Sequence, residues 1–417
     1  MSDAYTALPG LRLREHEIEV PLVHGRPERG TITVYAREVA APDGTDRPYL
    51  VYLQGGPGCE APRPGSVPSG PPWLERALRD YRVLMLDQRG TGRSTPIGED
   101  DLGDGGPDAA AALAERLTHH RADAIVEDAE LMREHLDVER WSLLGQSFGG
   151  FTALRYLSSH ADALAEVYFT GGIPPVGRSI DEVYARTYDR MARRSRWFYR
   201  RYPGSADRLR HVLAACEQGE VVLPNGDVVT PAWFRTLGHL LGGAGGADAL
   251  AHLLEGDVRA PWFRHDLAAL LPFGGRNPLY AVIHESCYCD GGTSDWAAAR
   301  TLPEEFVADE TLLTGEHVYP WHVEVSSELA PYADVAGRVA GVDWPRLYDA
   351  DVLAQVDVPC AAAIYADDVY VDRDFSEETA ALLPGMRGWI TNEYEHNGLR
   401  MGGPAVLDRL IRLARDL

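Results

Sequence analysis

The chain has 417 residues, 45% of them apolar, and its 40 basic and 63 acidic side chains give a net charge of −23. This length fits one large α/β domain with a sizeable insertion, or two domains, and the apolar content is ample for a buried core. The strong negative charge argues against nucleic acid and anionic membrane surfaces as partners.

The cysteines and the N-terminus bear on the cellular compartment. The five cysteines are odd in number and scattered, which predicts reduced thiols and not a disulfide framework. The N-terminus has no basic or apolar targeting segment, and no stretch is long enough to span a bilayer. We therefore expect a cytoplasmic protein with no membrane partner, whose oligomeric state the sequence does not reveal.

The first part of the chain alternates between strand-like and helix-like patterns. Residues 11–39 predict two or three strands joined by turns. Short apolar runs then recur between helical patterns, at residues 49–53, 81–86, 141–144 and 167–170. This alternation is typical of a mostly parallel, doubly wound sheet.

After residue 175 the pattern changes. Helical patterns dominate from about residue 180 to residue 348, with one small hairpin predicted at 221–229. The core pattern then returns, with a strand, a helix, a strand and a closing helix predicted at 358–365, 377–383, 387–391 and 404–416. The sequence therefore predicts a core formed by residues 1–175 and 351–417 and a mainly helical cap formed by residues 176–350.

The stretch from Gly145 to Gly149 has the pattern Gly-x-Ser-x-Gly between a predicted strand and a predicted helix. In a nucleophile elbow this pattern holds a serine hydroxyl out at the carboxyl end of a strand, and the glycines permit the sharp turn. A bare match of this kind also occurs in ordinary small-residue turns. With a strand before it and a helix after it, Ser147 is the candidate nucleophile.

A serine hydroxyl needs an imidazole that takes its proton and a carboxylate that orients the imidazole. In folds with this elbow the chain order is serine, acid, histidine. The predicted strand 358–365 is followed by Asp367 and Asp368, and His396 is the sole histidine beyond them. The order therefore selects His396 as the general base and leaves Asp367 and Asp368 as alternatives.

Two glycine-containing loops follow strands of the predicted sheet. Gly55-Gly56-Pro57-Gly58 offers backbone N–H groups, so Gly56 and Phe148 are expected to form an oxyanion hole, although a plain turn would have the same composition. The second loop, residues 87–94, mixes charged residues and glycines, which predicts a structural turn that is fixed by an Asp–Arg pair.

The combination of these motifs carries a resemblance. Gly-Gly-Pro-Gly at 55–58, Asp-Gln-Arg-Gly-Thr-Gly-Arg-Ser at 87–94 and Gly-Gln-Ser-Phe-Gly-Gly at 145–150 resemble the proline iminopeptidase family of α/β-hydrolases, and most of all its longer bacterial members with an enlarged cap. The resemblance covers both core segments, and the cap only in patches. In this family the acid stands 28 positions before the histidine and often precedes an apolar residue, which implies Asp368, followed by Val369.

The resemblance also implies the substrate, a small peptide whose free N-terminal proline is removed. Family members bind the cationic amine with two glutamates from the cap, which implies Glu285 and Glu316 here, each with a tyrosine three residues later. Glu285 follows His284, whereas the first glutamate of shorter members follows a tryptophan. No metal and no organic cofactor is expected.

Two other functions remain open at this stage. The fold hosts many chemistries, so a carboxylesterase or amidase that acts on an uncharged substrate is the main alternative. A hydrolase that has lost its activity and serves as a binding module is the other. The complete serine, aspartate and histidine set argues against the latter.

Overall fold

The apolar runs of the sequence form the strands of one mixed sheet. The computed structural model describes residues 5–65, 70–103 and 105–417, so residues 1–4, which belong to the N-terminus expected to lack a targeting segment, lie outside the described residues. Within these ranges nine strands pair in the order β1-β2-β3-β5-β4-β6-β7-β8-β9. The strands are β1 Thr6–Leu8, β2 Leu11–Pro21, β3 Thr31–Ala40, β4 Tyr49–Leu53, β5 Arg82–Leu86, β6 Trp141–Gln146, β7 Leu164–Thr170, β8 Cys360–Tyr365 and β9 Met386–Thr391.

The first three strands form the antiparallel part of the sheet, and β3 is also antiparallel to β5. All pairs from β5 through β4, β6, β7 and β8 to β9 are parallel. The strands expected at the start of the chain and the mostly parallel sheet are therefore confirmed. Because parallel strands end at the same edge, the loops after β4, β6 and β8 meet there, which is where ligands bind in open α/β sheets.

Both faces of the parallel strands are covered, which explains their continuous apolar composition. In β4, Val51 and Leu53 belong to the apolar cluster on one face and Leu50 and Tyr52 to the cluster on the other. Helices of the core cover these faces: α1 Leu74–Asp80, α2 Pro107–Leu117, α3 Ala122–His135, α4 Phe148–His160, α16 Arg373–Ala380, α17 Gly398–Met401 and α18 Pro404–Ala414. Of these, α4 contacts β4, β6 and β7, and α18 contacts β7, β8 and β9.

Residues 176–350 are mainly helical. The helices that begin in this segment are α5 Ile180–Arg201, α6 Ser205–Glu217, α7 Pro231–Arg235, α8 Gly246–Leu253, α9 Pro261–Leu270, α10 Pro278–Ile283, α11 Ala297–Arg300, α12 Glu304–Ala308, α13 His322–Val325, α14 Ala333–Ala340 and α15 Ala350–Leu353. Short 3₁₀ helices occur along the chain at Pro27–Arg29, Glu99–Leu102, Ala161–Ala163, Thr236–Gly242, Glu285–Tyr288 and Ala330–Tyr332. The hairpin expected at 221–229 is reduced to one antiparallel bridge between Val222 and Val228.

Helix α5 shows why this segment folds as it does. Ser179 caps its start, because its side chain accepts from the N–H of Glu182 while the Glu182 carboxylate accepts from the N–H of Ser179. Its buried residues recur every three or four positions, as an amphipathic helix requires: Ile180, Val183, Tyr184, Thr187, Tyr188, Met191, Ala192, Ser195 and Phe198. In the ranges that the structure describes, no helix is long and apolar enough to cross a membrane.

The helix expected at 377–383 is wrong in its position, since α16 begins at Arg373. The cause is a cap that the apolar pattern does not reveal: the Asp372 carboxylate accepts from the N–H groups of Asp374 and Phe375 at 3.0 and 3.2 Å. Asp372 is itself fixed by Arg190 of α5, 2.8 Å away. A tertiary contact therefore sets the start of this helix.

The expected Asp–Arg pair within the 87–94 loop is also wrong. The Asp87 carboxylate accepts from the backbone N–H groups of Ala61 and Arg93, each at 3.0 Å. Arg89 is fully buried and pairs instead with Asp128 of α3, through Nε at 2.7 Å from Oδ2 and through Nη2 to Oδ1. Backbone carbonyls accept from its Nη1. A buried guanidinium needs several acceptors, and these lie on other elements.

Candidate active site

Ser147 lies on the sharp turn between β6 and α4. Its backbone has φ 54° and ψ −124°, a region that L residues with a side chain seldom occupy. A Cβ at Gly145 would lie 2.5 Å from the Gly149 carbonyl oxygen, and one at Gly149 would lie 1.9 Å from that of Leu53. Only glycine fits at both positions, so the glycines of the motif are required by close packing of α4 against the sheet.

His396 connects the serine to an aspartate. Its Nε2 lies 2.9 Å from Ser147 Oγ, and its Nδ1 lies 2.7 Å from Asp368 Oδ2. The other carboxylate oxygen of Asp368 accepts from the N–H groups of Tyr370 and Val371 at 2.8 and 3.1 Å. Asp368 is buried whereas Asp367 is exposed. The structure thus brings together Ser147, His396 and Asp368, the member of the aspartate pair that the family spacing implies.

This geometry can move a proton. With Nδ1–H donating to Asp368, the unprotonated Nε2 faces the serine hydroxyl and can accept its proton. The ring of Tyr370 packs against the imidazole at a centroid distance of 4.7 Å, and the N–H of His396 donates to the Gly242 carbonyl oxygen at 3.0 Å. The histidine is therefore held by its side chain, its ring face and its backbone.

The loop after β4 packs directly on the elbow. A Cβ at Gly55 would lie 2.7 Å from Gln146 Oε1 and 2.9 Å from Ser147 Cβ. Gly56 adopts φ 124°, and it lines the same cavity as Ser147. Phe148 is the first residue of α4, so its N–H has no acceptor within the helix. Both expected oxyanion donors, Gly56 and Phe148, are thus neighbours of the serine.

A cavity of about 300 Å³ opens above the serine. Its lining combines residues from the sheet edge with residues from the 176–350 segment. They are Gln54, Gly55, Gly56, Cys59, Gln146, Ser147, His239, Gly242, Gly243, Tyr280, Glu316, Tyr370, His396, Asn397 and Arg400. Larger cavities, such as the one of about 890 Å³ near Glu130 and His160, lie away from this serine and are not lined by it.

Glu316 contributes the carboxyl group of this cavity. The hydroxyl of Tyr280 donates to its Oε1, and its backbone carbonyl accepts from Nε2 of His284 at 3.0 Å. Burial, and to a lesser extent the charge of Asp368, raise the pKa of Glu316 to about 8. Among the described residues no ion pair neutralises this carboxyl, so its ionised form would be stabilised by a cation that enters the cavity.

The structure places Glu285 differently. Its two carboxylate oxygens accept from the N–H groups of Ala297 and Ala298 at 3.0 and 2.9 Å, and it does not line the cavity that contains Ser147. Burial raises the pKa of Glu285 to about 7, against the effect of those two hydrogen bonds. Tyr184 is a neighbour of both glutamates. Its pKa is raised first by burial and then by nearby charges, which include those of Glu285 and Glu316.

Comparison with known proteins identifies the family of this chain. A model of the alpha/beta hydrolase fold matches residues 48–213. Proline iminopeptidase from Aeromonas sobria is 45% identical over 430 aligned positions, which cover 100% of this chain and 99% of that protein. This chain belongs to the proline iminopeptidase family of α/β-hydrolases. Proline iminopeptidase aneH from Aspergillus aculeatus, at 32% identity, matches 97% of this chain and 94% of its own length.

Some members of the proline iminopeptidase family match only a part of this chain. A probable proline iminopeptidase from Streptomyces coelicolor is 35% identical over 158 residues, 37% of this chain and 41% of its own length. The match over the whole length of the Aeromonas protein agrees with the resemblance to longer family members, and the α/β-hydrolase fold that the motifs imply is confirmed.

Sequence reasoning did not identify three residues of this site. Tyr280 contacts Glu316, Tyr370 packs on His396, and Arg400 reaches the cavity from α17. Tyr280 stands in an apolar run that is typical of a buried core segment, and Arg400 is one of many arginines, so neither is distinguished in the sequence. Only the closeness of Tyr370 to Asp368 in sequence offered a signal.

Proposed function

We propose that this protein is a serine aminopeptidase that releases N-terminal proline from small peptides. One observation carries the proposal: Ser147, hydrogen-bonded to His396 and through it to Asp368, shares one cavity with the partly buried carboxyl of Glu316. This arrangement combines a nucleophile with a group that selects a cation. Membership of the proline iminopeptidase family supports proline as the released residue.

The chemistry proceeds through an acyl-enzyme. Ser147 Oγ attacks the first carbonyl carbon while His396 Nε2 takes the hydroxyl proton, and Asp368 stabilises the imidazolium. The N–H groups of Gly56 and Phe148 stabilise the oxyanion. His396 then protonates the departing amine, the C–N bond breaks, and water hydrolyses the prolyl ester by the same route in reverse.

The free amine of the substrate binds to Glu316 in this scheme. The geometry favours Glu316 over Glu285, since Glu285 already accepts two backbone hydrogen bonds and is absent from the cavity wall. Each Glu285 oxygen keeps a second lone pair, so Glu285 has a role in amine binding only if the substrate reaches it beyond the cavity wall. A fixed ammonium site next to the nucleophile restricts cleavage to the first peptide bond.

We further propose that residues 176–350 act as a cap over residues 1–175 and 351–417. The support is that Tyr280 and Glu316 from this segment line the cavity together with Ser147, and that Gly242 accepts from the N–H of His396. The five free cysteines support a cytoplasmic location.

A substrate comparison tests the proposed function. The protein is given proline β-naphthylamide, its N-acetylated form and a short acyl ester, with Ser147→Ala as the blank. We expect cleavage of the free-amine substrate alone, and its loss in the variant. Equal or faster cleavage of the blocked amide or the ester would instead establish the alternative, a carboxylesterase or amidase for uncharged substrates.

Two glutamate variants test the charge recognition. Glu316→Gln should lower kcat/KM for proline β-naphthylamide by roughly 100-fold, the range expected when one partner of a hydrogen-bonded charge pair is removed. Glu324→Gln is the matched control, because Glu324 is an exposed glutamate of the same segment that does not line the cavity. Equal activity in both variants would remove Glu316 from amine binding.

A further inference from the structure

The cavity above Ser147 contains two ionisable groups of opposite type, a carboxyl and a guanidinium. Among the described residues that line it, Glu316 is the one Asp or Glu and Arg400 is the one Lys or Arg. The proposed mechanism uses the carboxylate and leaves the guanidinium without a role. An arginine on the wall of a substrate cavity is a ready partner for an anionic group of the substrate.

The guanidinium of Arg400 is available. In the described ranges of the chain no hydrogen bond or ion pair engages it, and the residue is exposed. This matters in a protein with 63 acidic against 40 basic side chains, where an arginine readily finds a carboxylate. Glu395, five positions earlier, is already paired with Arg194 of α5.

Close contacts next to the histidine fix the backbone that carries Arg400. Arg400 belongs to α17, which begins two residues after His396. Its N–H donates to the Asn397 carbonyl oxygen at 2.9 Å, and a Cβ at Gly398 would lie 2.4 Å from the Tyr365 hydroxyl. The side chain therefore extends from a defined point beside the nucleophile.

Glu316 and Arg400 reach the cavity from separate parts of the fold. Burial and Asp368 raise the pKa of Glu316, and Arg400 does not counteract them. Burial also raises the pKa of Cys59, and there Arg400 acts in the opposite direction. Cys59 belongs to the loop after β4, whereas Glu316 belongs to the 176–350 segment. Arg400, from α17, therefore shares the cavity with the loop after β4, whereas Glu316 enters it from the 176–350 segment.

We propose that Arg400 binds a carboxylate of the fragment that leaves, so that the preferred substrates are very short peptides whose amino and carboxyl termini are both free. This inference rests on the proposed function. A sphere of the cavity's volume is roughly 8 Å across, and an extended chain advances roughly 3.5 Å per residue. One or two residues beyond the scissile bond therefore reach its wall, which corresponds to dipeptides and tripeptides.

The contact between Arg400 and the substrate carboxylate should strengthen substrate binding without accelerating the bond-breaking step. The carboxylate is present in the substrate and in the transition state alike, so its recognition should lower KM and leave kcat nearly unchanged. Because Arg400 is exposed, we expect an effect of about 10-fold, which added salt weakens by screening. The same chemistry is offered by a C-terminal carboxylate and by an acidic side chain at the second position.

Four substrates test the inference: Pro-Gly, its amide Pro-Gly-NH₂, Pro-Asp-NH₂ and proline β-naphthylamide. The readout is the ratio of kcat/KM for Pro-Gly to that for Pro-Gly-NH₂, measured for the wild type and for Arg400→Gln, Arg400→Lys and Arg409→Gln. Arg409 is an exposed arginine of α18 that does not line the cavity. Thermal unfolding of each variant verifies that it is folded.

We expect this ratio to be about 10 in the wild type and in Arg409→Gln, and about 1 in Arg400→Gln. Arg400→Lys should give an intermediate value. The difference between the variants should arise from KM and not from kcat. Fast cleavage of Pro-Asp-NH₂ that depends on Arg400 would assign the carboxylate to the second side chain, and slow cleavage assigns it to the C-terminus. A ratio that Arg400→Gln leaves unchanged overturns the inference. If the wild type cleaves none of the four substrates, the proposed function itself fails.

Discussion

Replacing Glu316 by glutamine should make the protein more stable and less active. The carboxyl of Glu316 is partly buried, faces the cavity and has Tyr280 as a hydrogen-bond donor. Glutamine has nearly the same shape and keeps an acceptor oxygen for that tyrosine, but it cannot ionise. The substitution thus removes the ability to ionise and little else.

The size of the effect follows from the raised pKa. In the unfolded chain the carboxyl ionises near its ordinary pKa of 4.5, whereas in the folded protein its pKa is about 8. Between these values the unfolded state has lost the proton and the folded state retains it, so the free energy of unfolding falls as pH rises. At about 1.36 kcal/mol per pH unit, this group destabilises the wild type by about 3 kcal/mol at pH 7. The figure is an upper limit, because water in the cavity screens the carboxyl.

Urea unfolding of the wild type and Glu316→Gln between pH 5 and pH 8 measures this contribution. The difference in free energy of unfolding should be below about 1 kcal/mol at pH 5 and rise towards about 3 kcal/mol at pH 7, in favour of the variant. Other titrating groups cancel in the difference. The exposed control Glu324→Gln should show no such trend. A constant difference, or a variant that is less stable at pH 7, would refute the reasoning.

The same variant connects stability to function. In the free enzyme Glu316 ionises only as pH approaches about 8, so kcat/KM of the wild type for a free-amine substrate should rise with pH up to that value. In Glu316→Gln the level should be low and this rise absent. A more stable but less active variant is the trade-off expected where a buried ionisable group serves a site.

Further predictions concern the hydrogen-bonded set of Ser147, His396 and Asp368 and the packing of the core. Asp368→Asn should lower kcat by about 10⁴-fold, because it removes the acceptor that sets the tautomer of the histidine, while the exposed neighbour variant Asp367→Asn should be close to wild type in steady-state kinetics. Gly149→Ala should give little folded protein by circular dichroism, since its Cβ would lie 1.9 Å from a carbonyl oxygen of β4. Asp128→Asn, which leaves the buried Arg89 without its charge partner, should lower the free energy of unfolding by about 3 kcal/mol or more in urea titrations; a change below 1 kcal/mol would contradict the assigned burial.

Most of the core could be predicted from local patterns. The strands Tyr49–Leu53 and Cys360–Tyr365 are apolar throughout because both of their faces are buried, and such runs are visible in the sequence. The elbow around Ser147 could be predicted because its glycines stand at fixed spacing around the serine, between a strand pattern and a helix pattern. His396 followed from chain order alone, as the last histidine of the sequence.

The site as a whole could be predicted only in part. Glu285 and Glu316 have similar surroundings in the sequence, with a tyrosine three residues after each, yet their carboxyl groups have different partners. The start of α16 at Arg373 and the pairing of Arg89 with Asp128 depend on elements distant in the chain. In each case the local sequence permits several partners, and packing selects one.

The sequence by itself determined the sheet, the chemistry of the nucleophile and the family, because these depend on period, chain order and contacts between near neighbours. Tertiary structure alone decided which carboxyl faces the serine and which cation shares its cavity. Glu316 and Arg400 stand 84 positions apart in the printed sequence and come from separate parts of the fold. Their charges become a pair of binding groups only through folding, since burial and the position of each charge, and not residue identity, give them their strength.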